Sequence, residues 1–230
     1  MKDSISIEYS ILKDSGELLT FDVEIDDQNE SKPPDLITSE NEKWARLDNH
    51  QCQHCPLTPS EKFHCPVAQR ITWVVDSVQH AMSTEVVECK VTTPERAFSS
   101  RLPMQRAIYS LLGLLMATSG CPHLGFLKPM ARYHLPFSTA EETIVRTSSF
   151  YLLAQYFKEN SGGEADYSLA HLGTLYEEVS KVNEGIIKRV HSRSASGDAD
   201  KNSIIILNSF AQILSLDEKV GLNSVAKSFI

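Results

Sequence analysis

Between His50 and Pro66 the chain carries three cysteines, three histidines and few residues able to build a core, so the stretch reads as a loop whose chemistry is set by its cysteines. Cys52 and Cys55 have the C-x-x-C spacing that lets two thiolates turn toward one metal from a tight turn. Cys65 follows within fourteen residues of Cys52, so three of the chain's five cysteines lie in this one loop. A redox dithiol also uses C-x-x-C, but there the pair follows a strand and opens a helix in a βαβ unit, a context missing here.

A metal site of this kind wants a fourth ligand. Cys89 alternates with Val87 and Val91 and reads as the buried face of a strand, a small apolar group rather than a ligand. Cys121 stands between a helix-ending Gly120 and Pro122, the favoured first residue of a new helix, and Cys65-Pro66 repeats the arrangement. A cysteine at the mouth of a helix faces unpaired N–H groups that stabilise a thiolate. Cys121 is therefore the expected fourth ligand. Cys55, Cys65 and Cys121 each precede proline, a frequent feature of iron–sulfur ligands. Histidines interleave with these cysteines, and His50 and His123 are the candidates to join them as ligands.

The rest of the chain gives this loop its frame. Ile5, Ile7, Tyr9 and Ile11 alternate with polar residues, as do Leu19, Phe21, Val23 and Ile25, with Asp14-Ser15-Gly16 as a turn between them. Residues 26–42 read as an acidic connector, and Val87, Cys89 and Val91 as a third strand. Helical periodicity predicts helices over 66–82, 104–118, 122–134 with a break at Pro129, from a capping box at Ser138-Thr139-Ala140-Glu141 to about Tyr156, 169–190, and 204–216. The expected class is α+β, predominantly helical: a small N-terminal antiparallel β element packed with about five helices in a single domain. Its parts are a hairpin and acidic connector over 1–48, the Cys/His loop over 49–66 and a mainly helical core over 67–230.

Net charge is −8, which argues against a general nucleic-acid binder. The charge is uneven: residues 1–48 hold thirteen Asp/Glu against five Lys/Arg, whereas 94–140 carry Arg96, Arg101, Arg106, Lys128 and Arg132 against Glu95 alone. Met1 to Glu8 lacks the apolar core of a signal peptide, and the apolar run from Ala107 to Ala117 is too short to span a bilayer. The expectation is a cytoplasmic chain without membrane or nucleic-acid partners. In a reducing compartment clustered cysteines point to metal or redox chemistry rather than disulfides. In the stretch from Thr118 to Thr143, Lys128, Arg132 and His134 lie among apolar residues, with Glu141 and Glu142 as expected partners across Pro136. They read either as a buried ion-pair brace or as the lining of a pocket that holds an anion or moves protons beside the metal.

The motifs H-x-C-x-x-C-P-L, C-P-V-A, S-G-C-P-H and K-P-M-A-R-Y-H-L-P-F…E-E-T, followed by S-F-Y-L-L-A-Q-Y, resemble a family of uncharacterised bacterial proteins over nearly the whole chain. The resemblance implies one integrated domain in the bacterial cytosol and brings no activity with it. Three functions fit the residues. The first is an iron or iron–sulfur protein in redox chemistry or sensing, and the second a structural zinc site in a protein that binds a partner protein or a small anion. The third is a metal-dependent enzyme in which His123, His134 or a water completes the site. Phosphate-binding glycine loops, the H-E-x-x-H motif and the Rossmann fingerprint do not occur.

Overall fold

Alternation of apolar and polar residues builds the sheet, as expected from the sequence. β1 (Ile5–Lys13) and β2 (Leu18–Ile25) form an antiparallel hairpin in which Tyr9 faces Phe21 and Ile7 faces Val23. Gly16 closes the turn at φ +87°, a conformation that favours glycine. β3 (Val86–Thr92) lies antiparallel on the other side of β1, and β4 (Ala97–Pro103) pairs with β3, giving the order β2-β1-β3-β4. The structure, a computed structural model, describes residues 4–35, 38–193, 196–216, 222 and 225–229.

One face of the sheet is apolar (Ile7, Tyr9, Ile11, Phe21, Val23, Val87, Cys89, Val91) and buried. Against it pack α2 (Pro66–Val78) and α3 (Met104–Ala117), through an edge-on contact of Phe21 with Trp73 and a hydrogen bond between Tyr9 and Ser110. α3 is buried along most of its length, so it forms the centre of the molecule rather than an amphipathic cover. Next come a 3-10 segment (Pro122–Leu127), α4 (Lys128–Arg132), α5 (Ala140–Asn160), α6 (Ala170–His191) and α7 (Ala199–Leu216). α6 and α7 pack on one another, and α7 packs against α3. The class is α+β with helix predominating.

Several boundaries differ from the sequence reading. α1 (Ser39–Ala45) starts inside the stretch read as connector, capped by Thr38, whose hydroxyl accepts from the Asn41 N–H at 3.1 Å. Pro129 does not break a helix but sits in the first turn of α4. The capping box uses Thr139 and Glu142, not Ser138 and Glu141. Glu142 accepts from the Thr139 N–H at 2.7 Å and Thr139 accepts from the Glu142 N–H at 3.1 Å. Both pairs satisfy the S/T-x-x-E spacing, so pattern alone does not separate them.

His134 follows α4 and turns back into the core, where Tyr9 Oη meets its Nε2 at 2.5 Å. Burial, with some help from the Arg146 charge, pushes the His134 pKa down to about 3. The ring is therefore neutral at physiological pH. An unfolded histidine titrates near about 6.5, so between these two values the unfolded chain holds a proton that the folded chain does not. Stability then rises with pH across that window and is lost as pH falls from about 6.5 toward about 3. His134→Gln is expected to narrow the gap between denaturation midpoints measured at about pH 4.5 and about pH 7.5.

Candidate metal centre

Three separate segments deliver Cys52, Cys55, Cys65 and Cys121 to one place. The first two come from a tight turn closed by the Cys55 N–H donating to the Cys52 carbonyl at 3.0 Å. Cys65 is the N-cap of α2; its N–H donates to the Ala45 carbonyl at 2.8 Å, and its own carbonyl accepts from Gln69. A short bridge between Arg46 and His64 aligns the segments on either side of the loop. Cys121 caps the 3-10 segment after Gly120, which takes φ +82° to end α3. The end of α3 is itself fixed: the Thr118 carbonyl accepts from the Ser31 N–H, and Arg70 donates to the Ser31 carbonyl at 2.6 Å.

Electrostatics register the convergence. Burial pushes the Cys121 thiol up to about 12, an N–H from His123 opposes the shift, and negative charge on Cys65, Cys52 and Cys55 adds to it. Cys52 is pushed up to about 11 by burial and by Cys65 and Cys55, eased by Arg189. Cys89 belongs elsewhere: it is fully buried in β3, and burial alone raises its thiol to about 12. The core assignment made for it from sequence holds.

α6 closes the site with two residues that the sequence reading did not select. Arg189 is only 1% exposed and donates to the carbonyls of Trp44 at 2.7 Å, Arg46 at 2.8 Å and Leu47 at 3.1 Å. Its cationic form is disfavoured by burial and favoured by Cys65, Cys52, Asp48 and Cys55. Gly185, one turn earlier, lets the helix approach so closely that a Cβ there would lie 2.7 Å from the Cys52 sulfur.

Beside the thiols lies a second group. Among the described residues, His54, His123 and Glu178 are the one set of three or more His, Cys, Asp or Glu ligand atoms within 4.8 Å of one another. No three of the four sulfurs are that close. His54 Nε2 is 3.3 Å and His123 Nδ1 3.6 Å from Glu178 Oε2. His123 is thus at the site, but facing the carboxylate, while His50 is exposed in a left-handed turn at φ +48°. The Cys52 side of α6 meets the His50 carbonyl, 3.7 Å from a Cβ placed at Gly185.

The expected brace between Lys128 and Glu141 or Glu142 is not formed. Lys128 pairs with Glu30 at 2.7 Å, Glu142 is taken up by the capping box, and Glu141 is exposed in the first turn of α5. Arg132 is half-buried at the end of α4, and His134 is bound to Tyr9 on the sheet side. Arg101 pairs with Asp14 at an exposed position, so the basic stretch does not gather around the thiols. The cation facing them is Arg189.

The closeness of α6 to the cysteine turn is testable. Gly→Ala inside a helix ordinarily adds about 1 kcal/mol of stability. At Gly113 in α3 an added methyl would meet Leu207 at 3.5 Å, an ordinary contact, and Gly113→Ala is expected to hold or raise the thermal midpoint. Gly185→Ala is expected to lower it, because the Cys52 sulfur must move.

No single helix among the described residues is long and apolar enough to cross a membrane; α3 and the 3-10 and α4 segments pass that test only as a pair bent by 113°. No curated protein and no solved structure matches the chain. Residues 7–230 match the model of a family described as a domain of unknown function, DUF6901, and the chain belongs to that family.

Proposed function

We propose that this is an iron–sulfur protein whose cluster is held by Cys52, Cys55, Cys65 and Cys121 and serves electron transfer or redox sensing. The observation that carries the reading is the convergence of four thiols from three segments onto one buried cation, with their sulfurs spread apart. Four sulfurs around one tetrahedral zinc ion, each at about 2.3 Å, lie roughly 3.8 Å from one another. The sulfurs here leave more room than that, since no three fall within 4.8 Å. A polynuclear cluster, in which the thiolates bind different irons, suits the wider spread.

The surroundings support the same reading. A four-thiolate cluster carries net negative charge, and Arg189 supplies a buried positive charge while the backbone N–H of His123 favours the Cys121 thiolate. N–H donors to sulfur and local charge are the levers that set a cluster's potential. Proline after Cys55, Cys65 and Cys121 stiffens each ligand loop. A structural zinc site uses the same residues and requires the loops to draw inward.

Purification without oxygen, followed by iron and acid-labile sulfide analysis and a visible spectrum, separates the two metals. Brown protein containing both iron and sulfide is expected. Cys121→Ser should lose most of the colour and Cys89→Ala should keep it. Colourless protein carrying one zinc per chain would overturn the cluster.

A further inference from the structure

We propose that His54, His123 and Glu178 form a second, mononuclear site that takes a divalent first-row transition ion, separate from the four thiols. His123 Nε2 lies 3.1 Å from the His54 carbonyl oxygen. A carbonyl only accepts, so this nitrogen carries the proton. In the neutral ring the lone pair is then on Nδ1, which faces Glu178 Oε2 at 3.6 Å. A ring nitrogen and a carboxylate oxygen at that distance are held together by a cation, a proton on the ring or a metal ion.

His54 strengthens the case. Both of its ring nitrogens are buried without a hydrogen-bond partner among the described residues, and Nε2 is 3.3 Å from the same Oε2 without the alignment of a hydrogen bond. The two imidazoles are 4.0 Å apart between ring centres, too close for both to carry charge comfortably. Lys181 takes the other carboxylate oxygen, Oε1, at 2.6 Å and leaves Oε2 for the histidines. Two imidazole nitrogens and one carboxylate oxygen therefore offer lone pairs toward one point. That donor set belongs to catalytic zinc and to non-haem ferrous sites, which keep open positions. The three side chains retain 15%, 20% and 26% of their exposure, which leaves one side of the site facing solvent.

The arrangement is built, not incidental to a mobile surface. His54 rides on the closed turn that carries Cys55, His123 on the 3-10 segment that carries Cys121, and Glu178 on α6. Each histidine thus shares a short loop with a thiol of the other site.

Cobalt(II), titrated anaerobically into the full chain after iron and sulfide have been removed, tests the proposal. A thiolate site gives intense sulfur-to-metal charge-transfer bands in the near ultraviolet, whereas two imidazoles and a carboxylate give weak visible bands and paramagnetically shifted imidazole resonances. Both signatures are expected in the parent protein. Glu178→Gln and His123→Gln should each abolish the shifted resonances and lower bound cobalt by one equivalent, with the charge-transfer bands retained. If both variants keep the resonances and the full cobalt content, the second site does not exist. Loss of the charge-transfer bands in these variants would instead place the histidines in the thiol site and overturn a separate one. A parent protein that shows the imidazole resonances without charge-transfer bands would leave this site standing, with the thiols taking no single ion.

Discussion

Everything at the thiol site depends on one buried guanidinium. Arg189 reaches across from α6 and donates to three successive carbonyl regions at Trp44, Arg46 and Leu47, while Trp44 returns a hydrogen bond from its indole N–H to the Arg189 carbonyl. These carbonyls lie where α1 ends; Asn49 also donates to those of Trp44 and Arg46, so Leu47 is the one that depends on Arg189, and an interior carbonyl without a donor costs about 1–3 kcal/mol. The guanidinium therefore stops α1, anchors the start of the cysteine loop and places a fixed positive charge against the sulfurs. A lysine has neither the reach in three directions nor the planar fork to do all three. The exchange stabilises both partners, since an unpaired arginine at this depth would itself be prohibitively costly.

The same constraint explains what the sequence disclosed and what it concealed. The β-hairpin, β3, α2 and α6 follow from the spacing of apolar residues, because each buries one continuous face, and α3 follows from an almost unbroken apolar run. β4 was hidden because an edge strand such as Ala97-Phe-Ser-Ser-Arg-Leu-Pro keeps much of both sides accessible and shows little alternation. α1 was hidden because seven residues are held by a cap and by tertiary bonds, not by periodicity. Among the site residues, local spacing picked out Cys52, Cys55 and Cys65, and the turn-proline context picked out Cys121. Cys89 was correctly set aside by its place in an alternating strand.

Glu178 could not be read this way, since a glutamate in a helix full of charged residues carries no mark until the fold brings two histidines to it. His54 was passed over in favour of His50, although both flank Cys52 at the same distance, because direction from a turn is a property of backbone angles. Arg189 did leave a trace. Val182, Ile186, Arg189 and Val190 share one face of α6, and a guanidinium on an apolar face calls for partners. The misplaced brace has a similar origin: proximity in sequence favoured Glu141 and Glu142 for Lys128, whereas the hairpin's extension carries Glu30 to it.

The protonation of the sulfurs bears on how such a centre fills. With Cys52 raised to about 11 and Cys121 to about 12, both are neutral thiols at physiological pH. A neutral thiol packs as a small apolar group among its buried neighbours. In the proposed centre each thiol would surrender its proton as it binds, at a cost in affinity. Arg189 and the His123 N–H lessen that cost by stabilising the thiolate once it forms. In the proposed centre the negative charge would be created only at the moment of binding, where Arg189 already supplies a cation.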